Sequence, residues 1–290
     1  LMQQAGTDLY SMNFHIQSFY GIDSSETVLK LAFVFRNADG SVTGRSVDES
    51  DIFVPIQHQN AWTYQSFTHS PDGLTIHTSG GDILIRPYEG ALETEILPEG
   101  QTASESYAII AEPLNEEWSV DTTPEWIHAA WNEWNLSIEK SSLHIHYMNG
   151  DTLTRLTDFI TGGAQQGGIL TFDLQEQIPV YGGGSRALPF DLRGYDLQFY
   201  NQAQYGYSNQ TPNLNISIPL LMQPGRYALF LDNHHRAGGD IGKEEAGKLT
   251  YDVGKGTLRY WMMASDSLPQ TSKTIADLTG YAPMPPMWGM

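Results

Sequence analysis

Short alternations of apolar and polar residues, closed by glycine, asparagine and aspartate turns, run through most of this chain and constrain its fold more than any other feature. Leu74-Thr75-Ile76-His77-Thr78 passes through Ser79-Gly80-Gly81 into Asp82-Ile83-Leu84-Ile85-Arg86, which reads as strand, glycine-rich turn and strand, hence a hairpin. Trp134-Asn135-Leu136-Ser137-Ile138-Glu139 and Leu143-His144-Ile145-His146-Tyr147 form a second pair, ending at the turn Asn149-Gly150. A period of two puts one face of each strand inward and the other toward solvent. Further strands are expected at Val28–Phe35, Gly168–Leu174, Leu214–Ile218 and Tyr227–Leu231, and a hairpin is expected from Lys248–Val253 and Leu258–Met263 across Gly254-Lys255-Gly256.

Helical signal is confined to Leu268–Thr279. Ser267 stands where an N-cap would, Pro269 suits a first turn, Ile275 and Leu278 would face inward, and Gly280 would stop the helix. There is no solenoid-length repeat and no low-complexity linker within residues 1–280. The expected fold is therefore all-β: one large antiparallel β-sandwich over 1–280, with a short C-terminal helix, and with residues 1–70 open to being an extension. Residues 281–290 differ, since three prolines make a stiff, extended connector that ends on an apolar cluster, and a continuation beyond Met290 is expected.

Composition narrows the function. A chain of 290 residues is long for one domain but usual for a large β-sandwich, and it can bury a core without a staple. Cysteine is absent, which excludes a disulfide framework, thiolate metal sites and a cysteine nucleophile. The net charge of −19 argues against nucleic acid and against anionic membranes, and it is compatible with a neutral partner such as a sugar. No apolar run reaches the roughly 18 residues of a membrane span. Leu1-Met2-Gln3-Gln4 has none of the charged and apolar regions of a signal peptide, so a leader was either removed or never there.

Several constellations have a chemical reading beside a plainer one. Gly182-Gly183-Gly184-Ser185-Arg186-Ala187 matches a dinucleotide fingerprint, but Pro189 stands where the phosphate-binding helix must begin, so a glycine turn between strands is expected. His144 and His146 share a strand face and have a spacing that can hold zinc, against a simple solvated face with Leu143, Ile145 and Tyr147 inside. His234 and His235 lie in a glycine-rich loop beside Asp232 and Asp240, and adjacent loop side chains seldom converge. No nucleophile elbow of the serine hydrolases occurs. The stretch Phe199-Tyr200-Asn201-Gln202-Ala203-Gln204-Tyr205-Gly206-Tyr207 offers rings that stack on sugars and amides that bond to hydroxyls, or else is a packed surface loop.

From about residue 178 the order of motifs resembles glycoside hydrolase family 31. The glycine-rich turn Tyr181–Ala187 is followed by Asp191-Leu192-Arg193-Gly194, then by Tyr200-Asn201 leading to Tyr205-Gly206-Tyr207, then by Ser217-Ile218-Pro219-Leu220. Gly225–Asn233, Asp240-Ile241-Gly242, Leu278-Thr279-Gly280 and Pro283-Met284-Pro285-Pro286-Met287-Trp288 complete the series. Residues 70–175 are similar only in strand pattern, and residues 1–70 carry little resemblance.

The resemblance implies a mutarotase-like sandwich that precedes a (β/α)₈ barrel. The barrel would hold both carboxylates of a retaining hydrolase, most often one that cleaves α-linked glucosides, so this chain would hold no catalytic residue, metal or cofactor. Its implied substrate-contacting residues are Asn201, Gln202, Ala203, Gln204, Tyr205 and Tyr207. The sequence departs from the family at two points. Ala203 stands where the loop usually carries Asp, and Ser185 stands where the turn carries Glu, which puts ordinary α-glucosidase specificity in question and leaves Gln202 or Gln204 to replace part of the contact. The implied partners are an α-linked oligosaccharide and the barrel of the same polypeptide, in a periplasmic or extracellular setting. Two other readings stay open: a stand-alone carbohydrate-binding module without activity, and a mutarotase-like epimerase, which needs a poised His and Glu.

Overall fold

Leu74, Ile76, Ile83 and Ile85 are all buried in the computed structural model, while Thr75, His77, Asp82 and Leu84 between them stay half-exposed, so the alternation in the sequence is the alternation in the fold. The structure describes residues 62–284 apart from 104, 162–166, 202, 204 and 212, and before residue 62 only the backbone of short strand segments and residues 19 and 21. The chain divides into two compact units, Leu1–Gln59 and Asn60–Met290. In the first, β1 (Gln3–Gly6) pairs with β2 (Leu9–Ser11), β3 (Lys30–Phe33) with β6 (Ile52–Pro55), and β4 (Phe35–Arg36) with β5 (Thr43–Gly44), all antiparallel. Of the strand expected at Val28–Phe35, residues 28, 29 and 34 lie outside the described residues.

The second unit is the sandwich. Its strands are β7 (Tyr64–Ser70), β8 (Gly73–Thr78), β9 (Gly81–Tyr88), β10 (Ala91–Pro98), β11 (Ser119–Thr122), β12 (Trp126–Trp131), β13 (Trp134–Glu139), β14 (Ile145–Asn149) and β15 (Asp151–Thr161). They continue as β16 (Gly168–Asp173), β17 (Tyr181–Gly184), β18 (Asp196–Phe199), β19 (Ser217–Gln223), β20 (Arg226–Leu231), β21 (Ala237–Ile241), β22 (Lys248–Val253) and β23 (Leu258–Ser265), followed by helix α1 (Leu268–Thr279). One sheet has eight strands in the order β17-β19-β20-β23-β10-β9-β8-β7, and the other nine in the order β11-β12-β13-β14-β15-β16-β22-β21-β18. Every pairing is antiparallel, and one continuous apolar core fills the space between the sheets, from Leu74 and Ile96 on one side to Ile145, Phe172 and Tyr251 on the other. Each fully buried Leu, Ile or Phe contributes about 1.5–3 kcal/mol.

A polar chain crosses that core. The Tyr147 hydroxyl lies 2.8 Å from Thr94 Oγ1 and 2.8 Å from Tyr260 Oη, so a residue of the nine-stranded sheet is hydrogen-bonded to two neighbours of the eight-stranded one. All three groups are buried, and burial pushes the Tyr147 phenol up to about 12.

Two expectations are corrected here. Lys248–Val253 and Leu258–Met263 do not pair: β22 lies in the nine-stranded sheet between β16 and β21, and β23 lies in the eight-stranded sheet between β20 and β10. The reason is burial. β22 hides Leu249, Tyr251 and Val253 but leaves Asp252 exposed, whereas β23 is buried on both faces and so takes a central place. Asn233 Nδ2 donates to the carbonyls of Lys255 and Thr257, both at 2.9 Å, and fixes the crossing between sheets. The strand expected at Leu214–Ile218 begins only at Ser217.

The outer cover of β23 is α1. Its ends fall where the sequence puts them, with the Ser267 side chain accepting from the Gln270 amide and Gly280 at the C-cap with φ +90°. Leu278 packs with Tyr88, Ala91, Ala228, Trp261 and Met263, and Ile275 lies against this second cluster. The amides of Ile110 and Ala111 donate to the Leu278 carbonyl at 2.9 and 3.1 Å, so the segment after β10 is strapped to the helix end. Beneath that strap lies a buried ion network. Arg259 binds Asp232 through Nε and Nη2 at 3.0 and 2.6 Å, Arg86 Nε lies 2.9 Å from Glu93, and Glu95 stands between the two arginines.

The outer face of the nine-stranded sheet carries a cross-strand row of His128, Ser137, His146, Arg155, Asp173 and Lys248, with His144 beside it. Burial, then the Arg155 charge, holds the pKa values of His144 and His146 below the ordinary value of 6.5. The unfolded chain thus binds protons at these sites more readily than the folded one, and stability present above pH ~6.5 is lost as the pH falls through that value toward the lowered folded pKa. The urea midpoint should therefore drop between pH 7.5 and 5.5, and the drop should be smaller in a His144→Gln/His146→Gln double variant.

Candidate functional site

The edge strand β17 and its neighbour β19 close one side of the eight-stranded sheet, and β18 closes the same side of the nine-stranded one. The loop from β18 to β19, residues 200–216, joins the two sheets there. Gly182-Gly183-Gly184, expected to be a turn, is part of this edge strand, with a register shift between Gly182 and Gly184. All three glycines have positive φ, and a Cβ on Gly182 would meet the Leu220 carbonyl at 2.1 Å, so only glycine allows β17 to lie so close to β19. No helix follows it, and the dinucleotide reading is excluded.

Arg186, just past this strand, organises the loop. Its Nη1 donates to Asn213 Oδ1 at 3.1 Å, and its Nη2 donates to the Gln198 carbonyl at 2.8 Å and to Ser217 Oγ at 3.1 Å, while the guanidinium lies 5.9 Å from the centre of the Phe199 ring. Burial lowers its pKa from the ordinary arginine value. Asn213 Nδ2 in turn donates to the Tyr200 carbonyl at 3.0 Å, and Asn201 Oδ1 accepts the Ser217 amide at 2.6 Å. The far arm is tied by Gln210 N to the Ala187 carbonyl at 2.7 Å.

Of the residues expected to contact substrate, Asn201 is engaged in closing the loop. Ala203, Tyr205 and Tyr207 are exposed, and Gln202 and Gln204 lie outside the described residues. Tyr205 is 95% exposed, Tyr207 62% and Tyr200 54%, so three rings stand in solvent on a hydrogen-bonded frame. Phe190, Ile216 and Ile218 are exposed on the adjoining segments. Arg186, Asn213 and Ser217 are the residues that sequence reasoning did not assign. Their signal was slight: Arg186 and Ser217 stood inside motif strings, but nothing local pairs residues that are 31 apart.

The histidine pairs do not build a centre. His144 turns to Glu139 at 3.6 Å and His146 to the ring of Trp126 at 5.4 Å. His234 and His235 have ring centres 4.3 Å apart, but Asp232 is held by Arg259 and Asp240 caps the amides of Lys243 and Glu244. Among the described residues no group of three or more His, Cys, Asp or Glu is placed to hold a metal ion. No helix among them is long and apolar enough to cross a membrane.

The family model described as a glycosyl hydrolase 31 N-terminal galactose mutarotase-like domain matches residues 83–238, more than half of the chain. The chain belongs to that family. The match to this family 31 domain takes in much of the inter-sheet core, the glycine edge strand and the whole loop of residues 200–216. A curated relative, alpha-glucosidase 2 of Bacillus thermoamyloliquefaciens, is 24% identical over a 234-residue alignment that covers 78% of this chain and 30% of that protein. Among solved structures, a family 31 dextranase of Flavobacterium johnsoniae, complexed with isomaltotriose, superposes with a TM-score of 0.73 at 18% identity over 80% of this chain and 30% of its own. The cycloalternan-forming enzyme of Listeria monocytogenes, complexed with a pentasaccharide substrate, gives 0.67 at 16% identity over 89% of this chain and 26% of its own. The chain thus spans about a third or less of these relatives, and identities at this level show a shared family 31 sandwich fold.

Proposed function

We propose that this chain is the non-catalytic N-terminal domain of a retaining family 31 glycoside hydrolase that acts on α-linked glucosides, and that its loop of residues 200–216 forms part of the rim of the substrate pocket. The observation that carries this is the loop itself: Tyr200, Tyr205 and Tyr207 are exposed, yet the backbone beneath them is held by Arg186, Asn201 and Asn213. A ring on a fixed frame can stack on a sugar with little loss of conformational freedom. The names of the relatives, an alpha-glucosidase and a dextranase, support α-linked glucose as the sugar. Retaining chemistry needs two carboxyl groups about 5–5.5 Å apart, which this reading assigns to the barrel. The part left to the sandwich is shape and contact at the rim.

The test is kinetic and uses the full-length enzyme. An aromatic contact is worth about 0.5–1.5 kcal/mol, so Tyr205→Ala or Tyr207→Ala should change the ratio of kcat/KM between two linkage isomers by roughly two- to ten-fold. Equal kinetics across several α-glucosides would remove the loop from the pocket. The near-complete exposure of Tyr205 favours one second reading, a carbohydrate-binding module that works without a barrel. Calorimetry on this chain alone separates the two, since millimolar or tighter binding that is lost in Tyr205→Ala would place the module reading first.

A further inference from the structure

Trp126 departs from the alternation of apolar and polar residues that shapes most of the nine-stranded sheet. Its neighbours Ile127 and Ala129 are buried in the core, so Trp126 and His128 point to the outer face, where a strand normally carries polar residues. The indole is nearly parallel to the His128 ring, at 15° and 6.2 Å, and meets the His146 ring edge-on at 5.4 Å. Trp126 and His128 thus share one ring orientation on β12, and His146 of β14 stands against the indole. His128 Nδ1 is 2.9 Å from Ser137 Oγ, which sets the ring orientation and leaves Nε2 of this exposed residue for a ligand.

The polar row extends from these rings. His128, Ser137, His146 and Arg155 occupy four successive strands in register, at the ~4.8 Å spacing between neighbouring strands, which is close to the length of one pyranose ring. Beyond them Asp173 accepts from Arg155 Nε and from Lys248 Nζ, each at 2.9 Å. Along the row Arg155 and Lys248 both pair with Asp173, Glu139 lies beside His144, and exposed Asp121 stands opposite His128 on β11. With both cations of the row held by Asp173, what the row leaves to a ligand is mainly its uncharged donors and acceptors. The rings present electron-rich faces to the weakly positive C–H groups of an apolar surface, and the row offers donors and acceptors at a regular repeat.

We propose that the outer face of the nine-stranded sheet is a second carbohydrate-binding surface, which takes a neutral oligosaccharide laid across β12 to β15 with Trp126 and His128 as its stacking floor and Ser137, His146 and Arg155 as its polar row. This goes beyond the rim-loop reading and stands apart from it, since the residues are on a different part of the sandwich and need no barrel.

Affinity electrophoresis of the 290-residue chain through gels containing dextran or soluble starch tests it. The wild type should be retarded by at least one of the two glucans. Trp126→Ala should lose at least ten-fold in affinity and His128→Ala several-fold, while Trp126→Phe should keep part of the retardation and show that the loss is not one of folding. Tyr205→Ala and Tyr207→Ala should run as the wild type. The proposal is overturned if the wild type is not retarded by either glucan, or if Trp126→Ala with an unchanged urea midpoint is retarded as before. Retardation abolished by the loop variants and untouched by the sheet variants would also overturn it, while leaving the rim-loop reading intact.

Discussion

Replacing Arg259 with alanine should cost the fold about 3–5 kcal/mol. The side chain is 5% exposed and faces Glu93 and Glu95, which are 2% and 0% exposed, as well as Asp232. With Arg259 present, two arginines face three carboxylates, and without it Arg86 alone remains. A buried carboxylate that has lost its partner keeps its full desolvation penalty. Arg259 Nη2 also donates to the Glu105 carbonyl at 3.1 Å, so the strap over the eight-stranded sheet would loosen with it. Urea unfolding at pH 7 measures the loss. A loss below about 1 kcal/mol would mean that water or Arg86 compensates, and that the network is not sealed.

Tyr147→Ala should cost about 3–5 kcal/mol, for a different reason. The ring is fully buried between the sheets, 6.4 Å from that of Tyr260 and at a steep angle to it, so its removal leaves a cavity that a rigid double sheet cannot close. It also takes away the hydroxyl that Thr94 and Tyr260 share. Tyr147→Phe separates the two effects. The ring stays, and the loss should be about 1 kcal/mol, since Thr94 and Tyr260 are cross-strand neighbours and can turn toward each other. Equal losses for the two variants would show that the hydrogen bonds, not the ring, hold the sheets in register.

Much of the sandwich could be read from the sequence because its information is local. The hairpin at Leu74–Arg86, the paired strands from Trp134 to Tyr147 and the capped helix Leu268–Thr279 each depend on residues within a dozen positions of one another. Of the candidate site, the loop with Tyr205 and Tyr207 was legible as a ring-rich segment, but its frame was not. Arg186 reaches Asn213 and Ser217 only because β17 and β19 are neighbours, and the bond from the Ser217 amide to Asn201 Oδ1 spans 16 residues. The glycine run reads as a turn for a related reason. Positive φ suits a turn and a bulged edge strand alike, and only the position of the Leu220 carbonyl distinguishes them.

The sequence by itself determined that this protein is an antiparallel β-sandwich with one terminal helix, and the order of its motifs pointed to family 31, because periodicity, caps and turn residues act over short distances. Tertiary structure alone decided which strands are neighbours. It sent β22 and β23 to opposite sheets although only a few residues separate them, and it set Trp126 on the outer face beside histidines from two strands. Alternation specifies that a strand has an inside and an outside. It does not specify the partner, because any apolar strand face can be buried against any other until the whole core is closed.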